Sequence, residues 1–170
     1  MKTLRLMSSL ILVSLATVAF AESESTKPFD KLKTLAGTWE GKTTSNIAAF
    51  NAKSVQVSLR VTSMGNALMH EMSSPGEPDD PITMLYTEGE RLLLTHYCDA
   101  GNRPRMEGKL SADGKSVDFD FVDVVGNMKQ GHMHHATFTF IDSEHHAEDW
   151  TFMLPGDKPA YAHIDLQRTK

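Results

Sequence analysis

The tripeptide Gly37-Thr38-Trp39 opens a series of short alternating segments, and a basic residue, Arg168, lies close to the other end of the chain. An early Gly-x-Trp with a late arginine is an arrangement in which a small β-barrel closes on itself. The tryptophan then lies under the barrel floor and the guanidinium stacks on its ring. We therefore predict structural roles for Gly37, Trp39 and Arg168.

The chain after Trp39 has a hydrophobic period of two. Residues 55–62 alternate apolar and polar side chains, as do residues 117–121, and turn-forming residues separate such segments along the whole chain. Alternation of this kind buries one face of an antiparallel sheet and leaves the other in water. About ten short strands in a row predict an all-β fold, a closed antiparallel up-and-down barrel that hides its sheet edges. An open two-sheet sandwich is the alternative.

Two stretches near the N-terminus precede the strands. Residues 28–36 have one apolar stripe, which predicts a short capping helix. Residues 1–21 have the pattern of a secretory signal peptide, because Lys2 and Arg5 precede an apolar run that ends at Ala21. That run is too short to span a bilayer. We therefore expect one barrel domain over 22–170, periplasmic or extracellular, without a membrane anchor.

Composition narrows the possible partners. The 170-residue chain has a formal net charge of −5, and loss of Lys2 and Arg5 with the signal peptide makes it −7. No basic cluster is left to follow a phosphate backbone, so nucleic acid is not an expected partner. The one cysteine, Cys98, cannot form an intrachain disulfide. The domain must therefore depend on its hydrophobic core for stability.

Several blocks resemble a known superfamily. The stretch Leu35-Ala36-Gly37-Thr38-Trp39-Glu40-Gly41 resembles the opening of calycin-type barrels, the lipocalins and their relatives. The block 92–98, followed by Gly101-Asn102 and by residues 104–106, is similar to exported bacterial lipocalin-like proteins of unassigned function. The resemblance implies an interior cavity and an apolar small-molecule cargo, with no defined chemistry. Some barrels with a similar opening bind haem through a histidine near the C-terminus, where His163 is the nearest candidate. It alternates with Ile164, which predicts that it faces outward.

The most informative strand for a ligand site covers residues 132–141. Its even positions combine two histidines with aromatic side chains, and the following strand, 146–154, also has an aromatic face. A three-residue loop over 142–144 would bring the two faces together. This register places His134 opposite Phe152, Ala136 opposite Trp150 and Phe138 opposite Glu148. It predicts an interior wall of rings with a few polar groups.

We therefore expect an exported lipocalin-like protein that binds a small, largely apolar molecule inside the barrel. A pocket lined by rings excludes water, and a few polar groups orient the ligand. The predicted ligand-binding residues are His132, His134, Phe119, Phe121, Phe138, Trp150, Phe152, His96, Tyr97 and Arg105.

Other functions are kept as alternatives. His132 and His134 can reach one metal ion, but a site needs a further donor from another strand. This leaves metal or haem handling open, and the cofactor unassigned. A barrel filled by its own side chains would instead favour a protein-interaction module. An enzyme is not favoured, since Cys98 and His96 lack a third group to orient the base, and no catalytic residue is assigned.

Overall fold

The computed structural model describes residues 26–169. Within that range the chain forms one α-helix, a 3₁₀ turn at Ser63–Gly65 and ten strands. Each strand pairs antiparallel with its neighbour in the chain, and pairing of the first strand with the last closes the barrel. The all-β closed barrel predicted from the alternation is confirmed. The elements are α1 (Thr26–Lys33), β1 (Gly37–Ser45), β2 (Ser54–Thr62), β3 (Ala67–Ser73), β4 (Ile82–Glu88), β5 (Arg91–Tyr97), β6 (Arg103–Leu110), β7 (Ser116–Val125), β8 (His132–Phe140), β9 (His145–Leu154) and β10 (Lys158–Arg168).

Helix α1 covers the end of the barrel where β1 begins, which we call the capped end. Phe29 and Leu32 are buried on its inner side. The indole of Trp39 is buried beside them, and its Nε1–H donates to the carbonyl of Leu35 at 2.9 Å. The guanidinium of Arg168 lies 4.0 Å from the Trp39 ring centre. The predicted closure by Trp39 and Arg168 is therefore confirmed.

Arg168 also ties together the backbone at the capped end. It donates to the carbonyls of Ala36 and Ser143, both at 2.8 Å, and to that of Thr34 at 3.2 Å. Gly37, where the strand begins, has a φ of 145°, in a region that side chains rarely tolerate. These contacts explain how residues near the start of β1 and the end of β10 close the barrel.

The barrel interior next to the capped end is packed with apolar side chains. Inward-facing side chains from all ten strands contribute to one hydrophobic cluster. Its fully buried members include Leu68, Leu85, Leu94, Met106, Phe119 and Phe138. Removing apolar surface from water stabilises the fold by about 25 cal/mol for each Å². This cluster is therefore the main source of stability in a chain without disulfides.

The register between β8 and β9 is partly as predicted. Ala136 lies opposite Trp150 and Phe138 lies opposite Glu148. The predicted pairing of His134 with Phe152 is wrong, because the register shifts between Met133 and His135 and places Met133 opposite Phe152. An extra residue in one strand turns the side chains beyond it. Met133 accordingly packs against the core, although strict alternation put it on the opposite face from the histidines.

The end of the barrel opposite α1 is called the distal end. Strands β2, β4, β6, β8 and β10 begin there. The described part of the chain contains no helix with the length and apolar character needed to cross a membrane. The predicted signal peptide over 1–21 lies outside the described residues.

Candidate functional site at the distal end

Three polar side chains lie side by side on neighbouring strands, just inside the distal end. His70 on β3 pairs with Thr83 on β4, which pairs with His96 on β5. All three are buried. The ring of Trp150 on β9 lies 5.6 Å from that of His70 and 5.7 Å from that of His96. We call His70, Thr83, His96 and Trp150 the polar floor.

A fully buried carboxylate supports the polar floor. Glu148 is 0% exposed, and its oxygens accept hydrogen bonds from His70 Nε2 at 3.0 and 3.2 Å, His146 Nε2 at 3.0 Å and Trp150 Nε1 at 2.9 Å. Burial alone would raise the pKa of Glu148. The nearby His70 and the hydrogen bonds from the two histidines outweigh burial and hold this pKa well below its usual range. Glu148 is therefore ionised at neutral pH.

The carboxylate fixes the orientation of both imidazoles. Since a carboxylate only accepts, His70 and His146 each donate through Nε2–H. Their Nδ1 atoms are buried and have no hydrogen-bond partner among the described residues. Unpartnered buried polar atoms are uncommon in folded proteins and require an explanation. Two of them beside one buried charge mark this region as unusual for a structural core.

His96 differs from the other two histidines because it has no contact with a carboxylate. Its Nδ1 lies 2.8 Å from the hydroxyl of Thr83. Burial, and to a smaller extent the charge of His70, lower the pKa of His96 to about 3. The ring is therefore neutral throughout the physiological pH range.

Half-buried apolar side chains surround the polar floor on the distal side. Met72 and Phe152 each lie one inward-facing position nearer the distal end than His70 and Trp150. Both are only partly buried, as are Phe121 and Met133. We call Met72, Phe121, Met133 and Phe152 the apolar rim. It leaves apolar surface in contact with water directly above buried polar groups.

The predicted histidine pair belongs to the same end. The ring of Phe121 lies 4.6 Å from that of His132 and stacks on that of His134 at 5.1 Å. Nε2 of His132 lies 3.2 Å from Nδ1 of His134. Burial, together with the charge of His134, lowers the pKa of His132. The two imidazoles thus contact the rim through Phe121, while the register sets His132 opposite Met153 and not on the face of Met133 and Phe152.

The structure divides the predicted ligand-binding residues into three groups. Six of them lie toward the distal end in two contacting sets, with Phe152 one inward position beyond Trp150: His96 with Trp150, and Phe121 with His132 and His134. Phe119 and Phe138 lie deeper, edge to face at 5.9 Å in the packed core.

The third group faces away from the interior. Tyr97 is 42% exposed, next to the inward-facing His96. Arg105 forms a bidentate ion pair with Asp123, which raises the pKa of the arginine. His163 faces outward as predicted, and its Nδ1 bonds to Asp149 at 2.7 Å.

Sequence reasoning placed Glu148 on the interior wall opposite Phe138, but it assigned no role there to His70, Thr83 or His146. The alternation within each strand could have placed them. Each of these residues shares its strand face with buried apolar side chains. On β5, for example, Leu92, Leu94 and His96 share one face. A histidine that continues an apolar face is expected inside the barrel.

Two clefts lie elsewhere on the surface. One, of about 720 Å³, lies over Gly41, between β1, β2 and β10, and also reaches His146 and Leu166. The other, of about 910 Å³, lies beside α1 and includes Phe140 and Arg168. Among the described residues, none of the ten predicted ligand-binding side chains lines either cleft. Within residues 26–169 there is also no group of three or more His, Cys, Asp or Glu side chains placed to hold a metal ion.

Fold and site together define an all-β barrel with one capped end and one end that combines apolar and polar groups. No family model matches the chain, and neither does any curated protein. Among solved structures, the chain is similar to Rv2717c from M. tuberculosis, with a TM-score of 0.62 and 11% identity over 84% of this chain and 98% of that one. It is also similar to a protein of unknown function of the DUF3598 family from Nostoc punctiforme, with a TM-score of 0.54, 12% identity and 81% of this chain covered. The match spans 49% of that second protein. At these identities the likeness supports the barrel fold alone.

Proposed function

We propose that this protein is an exported, calycin-like binding protein for a small, largely apolar molecule, and that the ligand binds at the distal end of the barrel. One observation carries the proposal: the apolar rim lies directly above the polar floor. A site of this kind shields an apolar ligand from water and fixes its orientation through a few polar groups.

The energetics favour a ligand at this end. The rim side chains are only partly buried, so a bound apolar molecule would remove more of their surface from water. Each Å² of apolar surface buried contributes about 25 cal/mol. The core near the capped end offers no comparable gain, since Leu94, Phe119 and Phe138 are already fully buried. The ligand therefore rests on the floor and does not pass through the barrel.

Fluorescence titration with N-phenyl-1-naphthylamine, an uncharged apolar probe, tests the proposal. We expect saturable binding to the wild-type protein and at least tenfold weaker binding to Phe152→Asp, because the new carboxylate would have to be desolvated. Tyr161→Asp is the matched control, since Tyr161 is 51% exposed on the outer wall. Met72→Asp tests a second residue of the apolar rim, on β3. Wild-type protein that binds no probe would contradict the proposal and favour a filled barrel that interacts with other proteins.

A metal ion is a second candidate ligand, supported by one distance. Nε2 of His132 and Nδ1 of His134 are 3.2 Å apart, which is close to the separation of two nitrogen ligands about 2.1 Å from one tetrahedral ion. The remaining ligands would have to be water or the bound molecule. Calorimetric titration with Zn²⁺ should show one site that His134→Ala removes and the outer-wall variant His135→Ala retains. Equal heats from all three proteins would contradict this candidate.

A further inference from the structure

We infer that the ligand carries an uncharged oxygen, a hydroxyl or a carbonyl, that accepts a hydrogen bond from Nε2 of His96, and that organic anions such as fatty carboxylates are disfavoured. This inference rests on the proposed function and specifies the chemistry of the same site. It follows from the hydrogen-bond requirements of the polar floor.

The first step assigns the proton on His96. The hydroxyl of Thr83 is buried, and Nδ1 of His96 is its hydrogen-bond partner among the described residues. If Nδ1 carried the ring proton, the hydroxyl hydrogen would be buried without an acceptor, which costs roughly 1–3 kcal/mol. The hydroxyl therefore donates to Nδ1, and the proton of the neutral ring is on Nε2.

The second step identifies Nε2–H of His96 as the free donor of the floor. No described residue hydrogen-bonds to it, and the His96 side chain retains 4% exposure one residue from the end of β5. The other floor donors are occupied, because His70 and Trp150 both donate to Glu148. A ligand oxygen is the group that would complete this set of hydrogen bonds.

The third step concerns charge. Glu148 is ionised, and His70 and His146, which lower its pKa, already donate to it through Nε2–H. His96 is neutral and supplies no compensating charge. A second carboxylate on the floor would be buried close to the first, and the Nε2–H groups of His70 and His146 are not free to bond to it. This arrangement is strongly unfavourable. An uncharged oxygen meets neither penalty.

The test is a competition experiment at pH 7, in which 1-decanol, methyl decanoate and decanoate displace N-phenyl-1-naphthylamine from the wild-type protein. The chains are matched, so the head group is the main difference. We expect 1-decanol and methyl decanoate to bind at least tenfold more tightly than decanoate. His96→Leu should weaken 1-decanol about fivefold, the equivalent of one net hydrogen bond of about 1 kcal/mol. His135→Leu, on the outer wall, should change nothing.

The possible results distinguish the inference about an uncharged ligand oxygen from the proposed binding function. Decanoate that binds as tightly as the uncharged compounds would overturn the inference and leave the proposed function in place. An unchanged affinity of His96→Leu for 1-decanol would do the same. Wild-type protein that binds neither the probe nor any of the three compounds would overturn both. The wild-type comparison decides the question even if His96→Leu does not fold.

Discussion

The two tryptophans of this chain occupy opposite parts of the barrel and have very different surroundings. Trp39, at the capped end, donates to a backbone carbonyl and stacks against Arg168. Trp150, below the distal end, donates to a buried carboxylate and is 6% exposed between two histidines. Both indoles are satisfied, and the Trp39 ring also contacts that of His146 edge to face at 4.2 Å. Only the Trp150 indole donates to a carboxylate.

This difference indicates that the surroundings of Trp150 contribute less to the free energy of unfolding than apolar packing would. A buried carboxylate with histidine partners is usually no more stable than apolar residues of similar volume, and often less so. The capped end shows that this chain can close a barrel end with one aromatic ring and one arginine. Departures from such simple packing concentrate at functional sites. The polar floor is such a departure, which is why we place the function there.

The largest expected effect is at Glu148. In Glu148→Leu the N–H groups of His70, His146 and Trp150 would be buried without an acceptor. Each buried donor left without an acceptor costs roughly 1–3 kcal/mol, so the three together should cost at least about 3 kcal/mol. Urea denaturation should show this loss in the free energy of unfolding. Glu148→Gln, which retains one acceptor oxygen, should lose less, and a Glu148→Leu protein as stable as the wild type would remove the basis of the comparison.

The next effect is a loss of stability in acid. Because the pKa of His96 is about 3 when folded and 6.5 in the unfolded reference, the unfolded state binds a proton that the folded state does not. This contribution is therefore fully present above pH 6.5 and lost as pH falls. At pH 4.5 the loss from His96 alone should be about 3 kcal/mol.

Denaturation at pH 8 and 4.5 measures this effect, with His96→Gln as the comparison. That variant should lose the pH dependence contributed by His96, although the lowered pKa of His132 adds to the slope in both proteins. The depressed pKa of Glu148 acts in the same direction only below its unfolded value of 4.5. Identical slopes in the two proteins would show that the His96 ring is not kept neutral by burial.

The capped end should respond differently from the floor. Arg168→Ala removes the stacking on Trp39 and three hydrogen bonds to carbonyls, for a loss of about 2 kcal/mol in the free energy of unfolding. Arg168→Lys should recover little, since an ammonium does not reproduce the planar fork. Probe affinity at the distal end should stay unchanged. A large drop in affinity would mean that the two ends are coupled.

The smallest effect is on the outer wall. The hydrogen bond to Asp149 raises the pKa of His163, so its contribution is present below pH 6.5 and lost as pH rises through the raised value. Both side chains are over two-fifths exposed, which limits the contribution to about 0.5 kcal/mol. His163→Asn should lower stability at pH 6 and not at pH 9. A loss that is equal at both values would assign His163 a role independent of its charge.

Much of the fold follows from the sequence because it depends on local patterns. Alternation predicts each strand, and the even parity of Trp150 and Glu148 predicts their partners Ala136 and Phe138. The bulge near His134 was not predictable, because the hydrophobic pattern of the strand does not show that it contains one extra residue. Gly131 shows the local crowding, because a Cβ there would collide with the backbone of Met153.

The candidate site was less predictable than the fold. His70 and Glu148 are 78 residues apart and meet across the barrel interior. Their contact depends on the height at which each strand enters the barrel, which the alternation within a strand does not define. The predicted ring wall included Trp150, Phe152 and Glu148, but it did not predict the hydrogen bonds of this carboxylate to His70, His146 and Trp150.

The most direct test of a distal binding site is an NMR titration with 1-decanol that follows the imidazole signals of His96 and the two indole N–H signals. We predict saturable shifts at His96 and at Trp150, with the Trp39 signal unchanged. Shifts confined to Trp39, or to Gly41 and Gln56 in the cleft on the outer wall, would contradict the assignment of the site to the distal end.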